Sequence, residues 1–143
     1  MELTTFTMVL RFTLQLEDQT TQFYRDAALS IKFIQAKDLF AKLAENSQKR
    51  KRELEKTARE SVDHSLLEPV SGLFEETYAV KTTYSEEMSA ADILTMAKQL
   101  EDRMQKFYLE AGEKIKFISN VSRVYKRYAQ DRAKSIEALQ SLS

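Results

Sequence analysis

The stretch LEDQTTQFYRDAALSIKFI, residues 16–34, decides the fold, because the chain contains it twice. The second copy, LEDRMQKFYLEAGEKIKFI, occupies residues 100–118 and keeps the triplets LED and KFI and the pair FY at one fixed offset. Several matches at a single offset mark an internal repeat of one structural unit. The chain is therefore predicted to consist of two similar halves.

Each copy lies in a segment with helical periodicity. Apolar residues recur at steps of three and four through residues 3–31 and again through residues 90–115, which is the spacing of an amphipathic helix. A second helix is predicted after each copy, ending near residue 60 in the first half and near residue 142 in the second. The link between the halves is long and contains apolar residues, so we expect it to pack along the helices and to include a short helix near residues 73–78.

Together these segments predict an all-α fold with one domain, residues 1–143. Hairpin 1 covers about residues 3–60, the crossover about 61–88, and hairpin 2 about 89–142. Short loops make the helices within a hairpin antiparallel, whereas the long crossover makes the second and third predicted helices run in the same direction. At 143 residues the chain is large enough to bury one substantial core.

Composition limits the partners and the chemistry. Lys and Arg total 22, as do Asp and Glu, so the formal charge is zero and favours neither nucleic acid nor a membrane as a partner. The chain has no Cys and only one His, His64, which we interpret as a surface or link residue. Thiolate chemistry is thereby excluded and imidazole-ligated metal sites are limited. No signal-peptide pattern and no long apolar run is visible, so the default expectation is a cytoplasmic location.

Polar residues interrupt the apolar stripe of every predicted helix at mid-length. Two of them, Glu17 and Glu101, are equivalent in the repeat. A buried carboxylate must be protonated, paired or bound to a metal, because an isolated buried charge costs several kcal/mol. The register predicts the ion pairs Glu17–Arg50 and Glu101–Arg132. Further hydrogen bonds to these pairs are expected from Thr13, Thr20, Ser47 and Ser135.

Two motifs resemble the rubrerythrin branch of the ferritin-like superfamily. One is Glu-x-x-x-x-x-Phe-Tyr, present at Glu17 with Phe23-Tyr24 and at Glu101 with Phe107-Tyr108; the other is LFAKLAENSQKR at residues 39–50. The resemblance covers both hairpins and leaves the crossover unmatched. It implies a ferritin-like four-helix bundle with a di-iron centre, built from one Glu on each of two helices and Glu-x-x-His on each of the other two.

Six positions of this chain correspond to the metal ligands implied by the resemblance: Glu17, Ser47, Arg50, Glu101, Arg132 and Ser135. Both glutamates remain, but the Glu-x-x-His of the second helix is replaced by Ser-x-x-Arg and that of the fourth by Arg-x-x-Ser. A shift of one residue in the fourth helix would instead place Asp131 and Lys134 there. Neither register restores the ligands, and arginine does not coordinate iron. We therefore expect no metal, no cofactor and no catalytic residue at these former metal-site positions.

Three functions remain open at this stage. The favoured one is a metal-free, non-catalytic bundle that forms a homodimer or binds another protein. Its candidate apolar surface consists of Phe12, Phe33, Ile34, Phe117 and Ile118. The enzymatic alternative is a di-iron or di-manganese oxidoreductase with a remodelled site. Its ligands would be Glu17 and Glu101 with carboxylates from among Asp131, Glu45 and Glu137. The third possibility is small-anion binding by Arg50 and Arg132 in the bundle centre.

Overall fold

The computed structural model describes residues 1–61 and 67–142. His64, the only histidine of the chain, lies outside the described residues, so its predicted role is untested. Among the described residues there is no β-strand, only an isolated bridge between Glu2 and Phe74. The prediction of an all-α fold is confirmed.

Five α-helices form the described structure. They are α1 (Phe6–Ala28), α2 (Lys37–Glu60), the short α3 (Glu75–Tyr78), α4 (Ala90–Lys114) and α5 (Ser119–Gln140), with a 3-10 segment at Ile31–Ala36 before α2. The predicted long helices and the short helix in the crossover are thus present. None of the helices in these described ranges combines the length and apolar character needed to cross a bilayer.

Contacts between side chains fix the helix directions. Within the hairpins, residues close to a connection meet residues close to it on the partner helix, as in the pairs Tyr24–Phe40, Asp18–Lys51, Gly112–Ser122 and Tyr108–Tyr125. Each hairpin is therefore antiparallel. Between hairpins, Tyr24 near the end of α1 contacts Glu101 in α4, and Glu17 in α1 contacts Tyr108 further along α4. Because α1 is antiparallel to both α2 and α4, α2 and α4 run in the same direction, as predicted.

The chain ahead of α1 fastens the crossover to the helices. The backbone N–H of Leu3 donates to the carbonyl of Leu73 at 2.8 Å, and the N–H of Val70 donates to the carbonyl of Thr4 at 2.9 Å. The side chains of Val70, Leu73 and Tyr78 are buried in the core. These contacts confirm that the described part of the crossover packs along the helices.

The two KFI triplets have opposite environments although their sequences are identical. Phe33 is buried and Ile34 is 67% exposed, whereas Phe117 is half-buried and Ile118 is buried. The first triplet lies in the 3-10 segment, where Phe33 has non-helical angles (φ −137°, ψ 55°). The second lies in the shorter connection between α4 and α5, directly before Ser119. Different lengths of connection therefore rotate the same three residues onto different faces.

This difference corrects the predicted apolar surface. Phe12, Phe33 and Ile118 belong to the core and are not exposed, and Phe117 is only partly exposed. Phe12 packs edge-on against Phe107 with ring centroids 5.5 Å apart, because α1 is covered on this side by α4. Of the predicted set, only Ile34 presents a large apolar side chain to solvent.

Candidate functional site

Two carboxylates meet at the centre of the four long helices. Glu17 comes from the middle of α1 and Glu101 from α4, and both side chains are completely buried. Their helices are antiparallel, so the repeat brings the equivalent residues of both halves to one level. The prediction that the copies place two carboxylates inside the fold is confirmed.

The guanidinium of Arg132 lies between these carboxylates. Its Nη1 donates to both carboxylate oxygens of Glu101, at 2.9 and 3.1 Å, and its Nη2 donates to Oε1 of Glu17. Arg132 is completely buried. Burial disfavours its charged form, but the carboxylates of Glu101 and Glu17 outweigh this effect and hold the pKa of Arg132 above its usual value. A permanent cation therefore joins the two hairpins.

A second arginine stands beside this centre. Arg50 in α2 donates from Nε to Oε1 of Glu17 at 3.3 Å and from Nη2 to the hydroxyl of Ser47 at 3.3 Å. The hydroxyl of Ser47 in turn donates to Oε2 of Glu17 at 2.8 Å. Burial by itself would raise the pKa of Glu17. Arg132, Arg50 and the hydrogen bonds that Glu17 accepts together have the larger, opposite effect, so its pKa lies below the usual value. Both predicted ion pairs, Glu17–Arg50 and Glu101–Arg132, are present.

Two tyrosines complete the network by crossing between the hairpins. The hydroxyl of Tyr24 donates to Oε1 of Glu101 at 2.9 Å, and that of Tyr108 donates to Oε1 of Glu17 at 2.7 Å. Burial first, and the adjacent carboxylate second, raise the pKa of both tyrosines well above the usual range. Both phenols therefore stay protonated and act as donors. These bonds are not among those predicted from the sequence, although two helical turns separate each Tyr from the Glu of its own copy and place both on one helix face.

Three of the four expected small polar partners do not join the network. Thr20 and Ser135 donate to carbonyls of their own helices, to Leu16 at 2.8 Å and to Asp131 at 3.2 Å. Thr13 does the same toward Val9 at 2.7 Å, and its hydroxyl also lies 2.5 Å from that of Tyr125. A short hydroxyl side chain in a helix readily bonds to the carbonyl one turn earlier, so the network needs none of them.

The helix α5 adopts the first of the two registers. Arg132 and Ser135 face the core, whereas Asp131 is half-buried and Lys134 is exposed. The acids considered for a remodelled metal site are not brought to the centre. Glu137 is exposed, and Glu45 is exposed and paired with Lys49 at 3.1 Å.

The two hairpins carry their serine and arginine in opposite order. On each helix one of the two residues is completely buried, which we call the inner position, and the other, at the outer position, is slightly exposed. In α2 Ser47 is inner and Arg50 is outer, whereas in α5 Arg132 is inner and Ser135 is outer. The inner arginine reaches both glutamates and is fully buried, and the outer one reaches only Glu17 and is 6% exposed. One cation is thus central and one lies at the edge of the network.

The residues at the centre do not fit the di-iron site that the resemblance implies. A metal ion needs lone pairs from several converging ligands, but the space between Glu17 and Glu101 holds the N–H donors of Arg132. Within residues 1–61 and 67–142 no three carboxylate or imidazole side chains converge in a way that could hold a metal ion. A small anion at the centre would likewise have to displace the glutamates, since they already accept the hydrogen bonds of both Nη atoms of Arg132.

The chain matches no protein-family model, no curated protein and no solved structure. Its function is therefore inferred from the chemistry of its own residues.

Proposed function

We propose that the protein is a rubrerythrin-like member of the ferritin-like superfamily whose di-iron centre has been replaced by an ion-pair network. It acts without catalysis, through self-association or through binding another protein. The observation that carries this proposal is the position of Arg132, whose guanidinium donates to Glu17 and to Glu101 in the space between them. Those two glutamates are the residues that the resemblance assigns to the metal.

The charges of the network support a structural role. Two carboxylates, Glu17 and Glu101, are balanced by two guanidinium groups, Arg50 and Arg132. Buried charges that are paired and hydrogen-bonded fix the relative position of the elements that carry them. A guanidinium has no lone pair with which to coordinate a metal ion, and it has no accessible redox state. The centre can therefore hold the hairpins together, but its residues do not supply the chemistry that activates oxygen.

Metal content tests the first half of the proposal. Protein prepared without chelators and then equilibrated with Fe²⁺ or Mn²⁺ should retain far less than one ion per chain by mass spectrometry. Arg132 explains this expectation, because a metal would have to enter beside a fixed positive charge. Retention of about two ions per chain, the number that a ferritin-like carboxylate site holds, would refute a metal-free centre.

Exposed apolar residues support the second part of the proposal, which is association with another protein chain. Leu29 is 78% exposed and Ile34 is 67% exposed, and both lie on the connection between α1 and α2. Single exposed leucines are ordinary, but two large exposed apolar side chains on one short connection are the residues of this end that contact with another protein would cover. This end of the bundle is therefore the proposed association surface, in place of the largely buried set predicted from sequence.

Light scattering after size exclusion tests this surface. The native chain should elute as a dimer, and the double variant Leu29→Asp/Ile34→Asp should elute as a monomer, because two charges would be buried in the contact. Leu109→Asp is the matched control, since Leu109 is also an exposed leucine (51%) but lies on α4. A native chain that stays monomeric at high concentration, or equal dissociation by the control, would contradict self-association through this end.

A further inference from the structure

A groove of about 620 Å³ runs between α2 and α5 on the outer side of the network. Its volume lies within the range of pockets that hold small molecules, roughly 300–1,000 Å³. The two helices that form its walls belong to different hairpins, so the groove follows the seam along which the hairpins meet.

The groove carries an excess of positive charge. Five cationic and two anionic side chains line it, although the chain as a whole is neutral. Three of these cations are already paired: Arg127 with Glu53 at 2.5 Å, Lys49 with Glu45 at 3.1 Å and Arg50 with Glu17 at 3.3 Å. Asp131 is the second anion of the lining and forms no ion pair with a described residue. Lys42 on the α2 wall and Lys134 on the α5 wall are exposed and form no ion pair with a described residue.

Arg50 lines this groove and keeps one hydrogen-bond donor that no described residue uses. Its Nε and Nη2 are bound to Glu17 and Ser47, but its Nη1 has no hydrogen-bond partner among the described residues. Among the buried side-chain nitrogen and oxygen atoms of the described chain, Nε of Arg132 alone lacks a partner, so Nη1 of Arg50 is not sealed from solvent. Arg50 is 94% buried and lines the groove, and its bonds to Glu17 and Ser47 hold the guanidinium in one position.

One end of the groove has three apolar side chains, beside the exposed Lys42. Leu39, Leu43 and Ala138 line it on the side toward the start of α2 and the end of α5. At a rise of 1.5 Å per residue, the distance along α2 from Arg50 to Leu39 is about 16 Å. A ligand that reached from one to the other would place its charge and its apolar part at separate ends.

We propose that this groove binds an amphipathic organic anion, with its carboxylate or phosphate head on Arg50 and Lys134 and its apolar chain along Leu39, Leu43 and Ala138. The site shares Arg50 with the ion-pair network but lies outside the space between Glu17 and Glu101, where Arg132 is already bound. It also does not depend on the association surface at Leu29 and Ile34, so each proposal can fail without the other.

Calorimetry and ¹⁵N–¹H NMR titration of the full chain with four probes test the site: decanoate, decyl phosphate, decanol and inorganic phosphate. Decanoate or decyl phosphate should bind saturably, with amide shifts confined to residues 39–50 and 127–138. Decanol and inorganic phosphate should each bind at least about tenfold more weakly, because each lacks one of the two contacts. The stronger of the two anionic amphiphiles identifies the preferred head group.

Charge variants make the test specific. Lys134→Gln should weaken binding of the better anionic probe by about fivefold, the effect of one exposed ion pair of about 1 kcal/mol. Lys106→Gln is the matched control, because Lys106 is an exposed lysine of α4 that does not line the groove, and it should leave affinity unchanged. The proposal is overturned by equal affinity for decanol, by shifts that map elsewhere, by equal effects of the two variants, or by no saturable binding of either amphiphile up to about 5 mM.

Discussion

Arg132→Met is expected to destabilise the fold by about 3–5 kcal/mol, the cost of removing one partner from a buried ion pair. Methionine keeps much of the volume but leaves Glu101 without a cation and Glu17 with only Arg50. Urea unfolding followed by circular dichroism measures the change. Arg127→Met is the matched control on the same helix. Arg127 is half-exposed and pairs with Glu53 at the surface, so its loss should cost no more than about 1 kcal/mol.

The pH dependence of stability should change sign in this variant. In the native chain the pKa of Glu17 is lowered on folding, so its contribution is present above the unfolded value, about 4.3, and is lost as pH falls through the folded pKa. Burial is the largest influence on this pKa, and without Arg132 it is opposed only by Arg50 and the hydrogen bonds from Tyr108 and Ser47, so we expect the pKa of Glu17 to rise above the unfolded value. Stability is then retained at low pH and lost as pH rises. The variant should be more stable at pH 5 than at pH 7, whereas the native chain should not.

A second substitution separates charge from packing. Arg132→Met/Glu101→Gln removes the carboxylate that the first change leaves unpaired, so the double variant should be more stable than Arg132→Met at pH 7. Two outcomes would show that the ion-pair network does not stabilise the fold. In one, the double variant has no larger free energy of unfolding than Arg132→Met; in the other, Arg132→Met lowers the free energy of unfolding as little as Arg127→Met does.

Restoring the replaced ligands is expected to create a metal site. The variant Ser47→Glu/Arg50→His/Arg132→Glu/Ser135→His places Glu-x-x-His on α2 and on α5, facing Glu17 and Glu101. It should bind about two Fe²⁺ or Mn²⁺ ions per chain. Without metal, four carboxylates with no arginine would repel one another in the core, so the metal-free variant should be largely unfolded at pH 7 and should fold when metal is added.

Metal analysis and circular dichroism with and without Mn²⁺ measure this outcome. The control variant carries the same four changes together with Glu17→Gln and Glu101→Gln, which remove the two glutamates that remain from the implied ligand set, and it should bind metal much more weakly. If the fourfold variant folds without metal and binds none, the six positions do not correspond to the ligands of a ferritin-like centre. The resemblance would then not extend to the metal site.

Those features of the centre that depend on one helix face or one hairpin follow from the sequence. The repeat predicts that Glu17 and Glu101 are equivalent. The helical rise places Arg50 about one turn from the depth of Glu17, a distance that a long arginine side chain spans, so the ion pairs within each hairpin follow. The contact of Arg132 with Glu17 depends on how one hairpin docks against the other. No local pattern encodes that docking, so the bridging role of Arg132 and the crossed bonds of the tyrosines were not predicted.

The exposure of a side chain and its choice of hydrogen-bond partner depend on backbone geometry, which the identity of the residue does not determine. Ile34 and Ile118 occupy the same place in the repeat, yet one is exposed and the other is buried, because the connections around them differ in length. Ser135 was expected to bond to the network because it is polar and faces inward. Its hydroxyl instead donates to the carbonyl of Asp131 one turn earlier, because a helical carbonyl can accept a second hydrogen bond from a serine side chain.

The opposite order of serine and arginine in the two hairpins makes each half selective for its unlike partner. Two copies of the first half would bring two Glu17 carboxylates together with both arginines at the edge and no cation between them. Two copies of the second half would press two inner guanidinium groups into the space that one Arg132 fills. Only the unlike pairing supplies one inner and one outer cation, so any exchange of hairpins between chains must still match a first half with a second half.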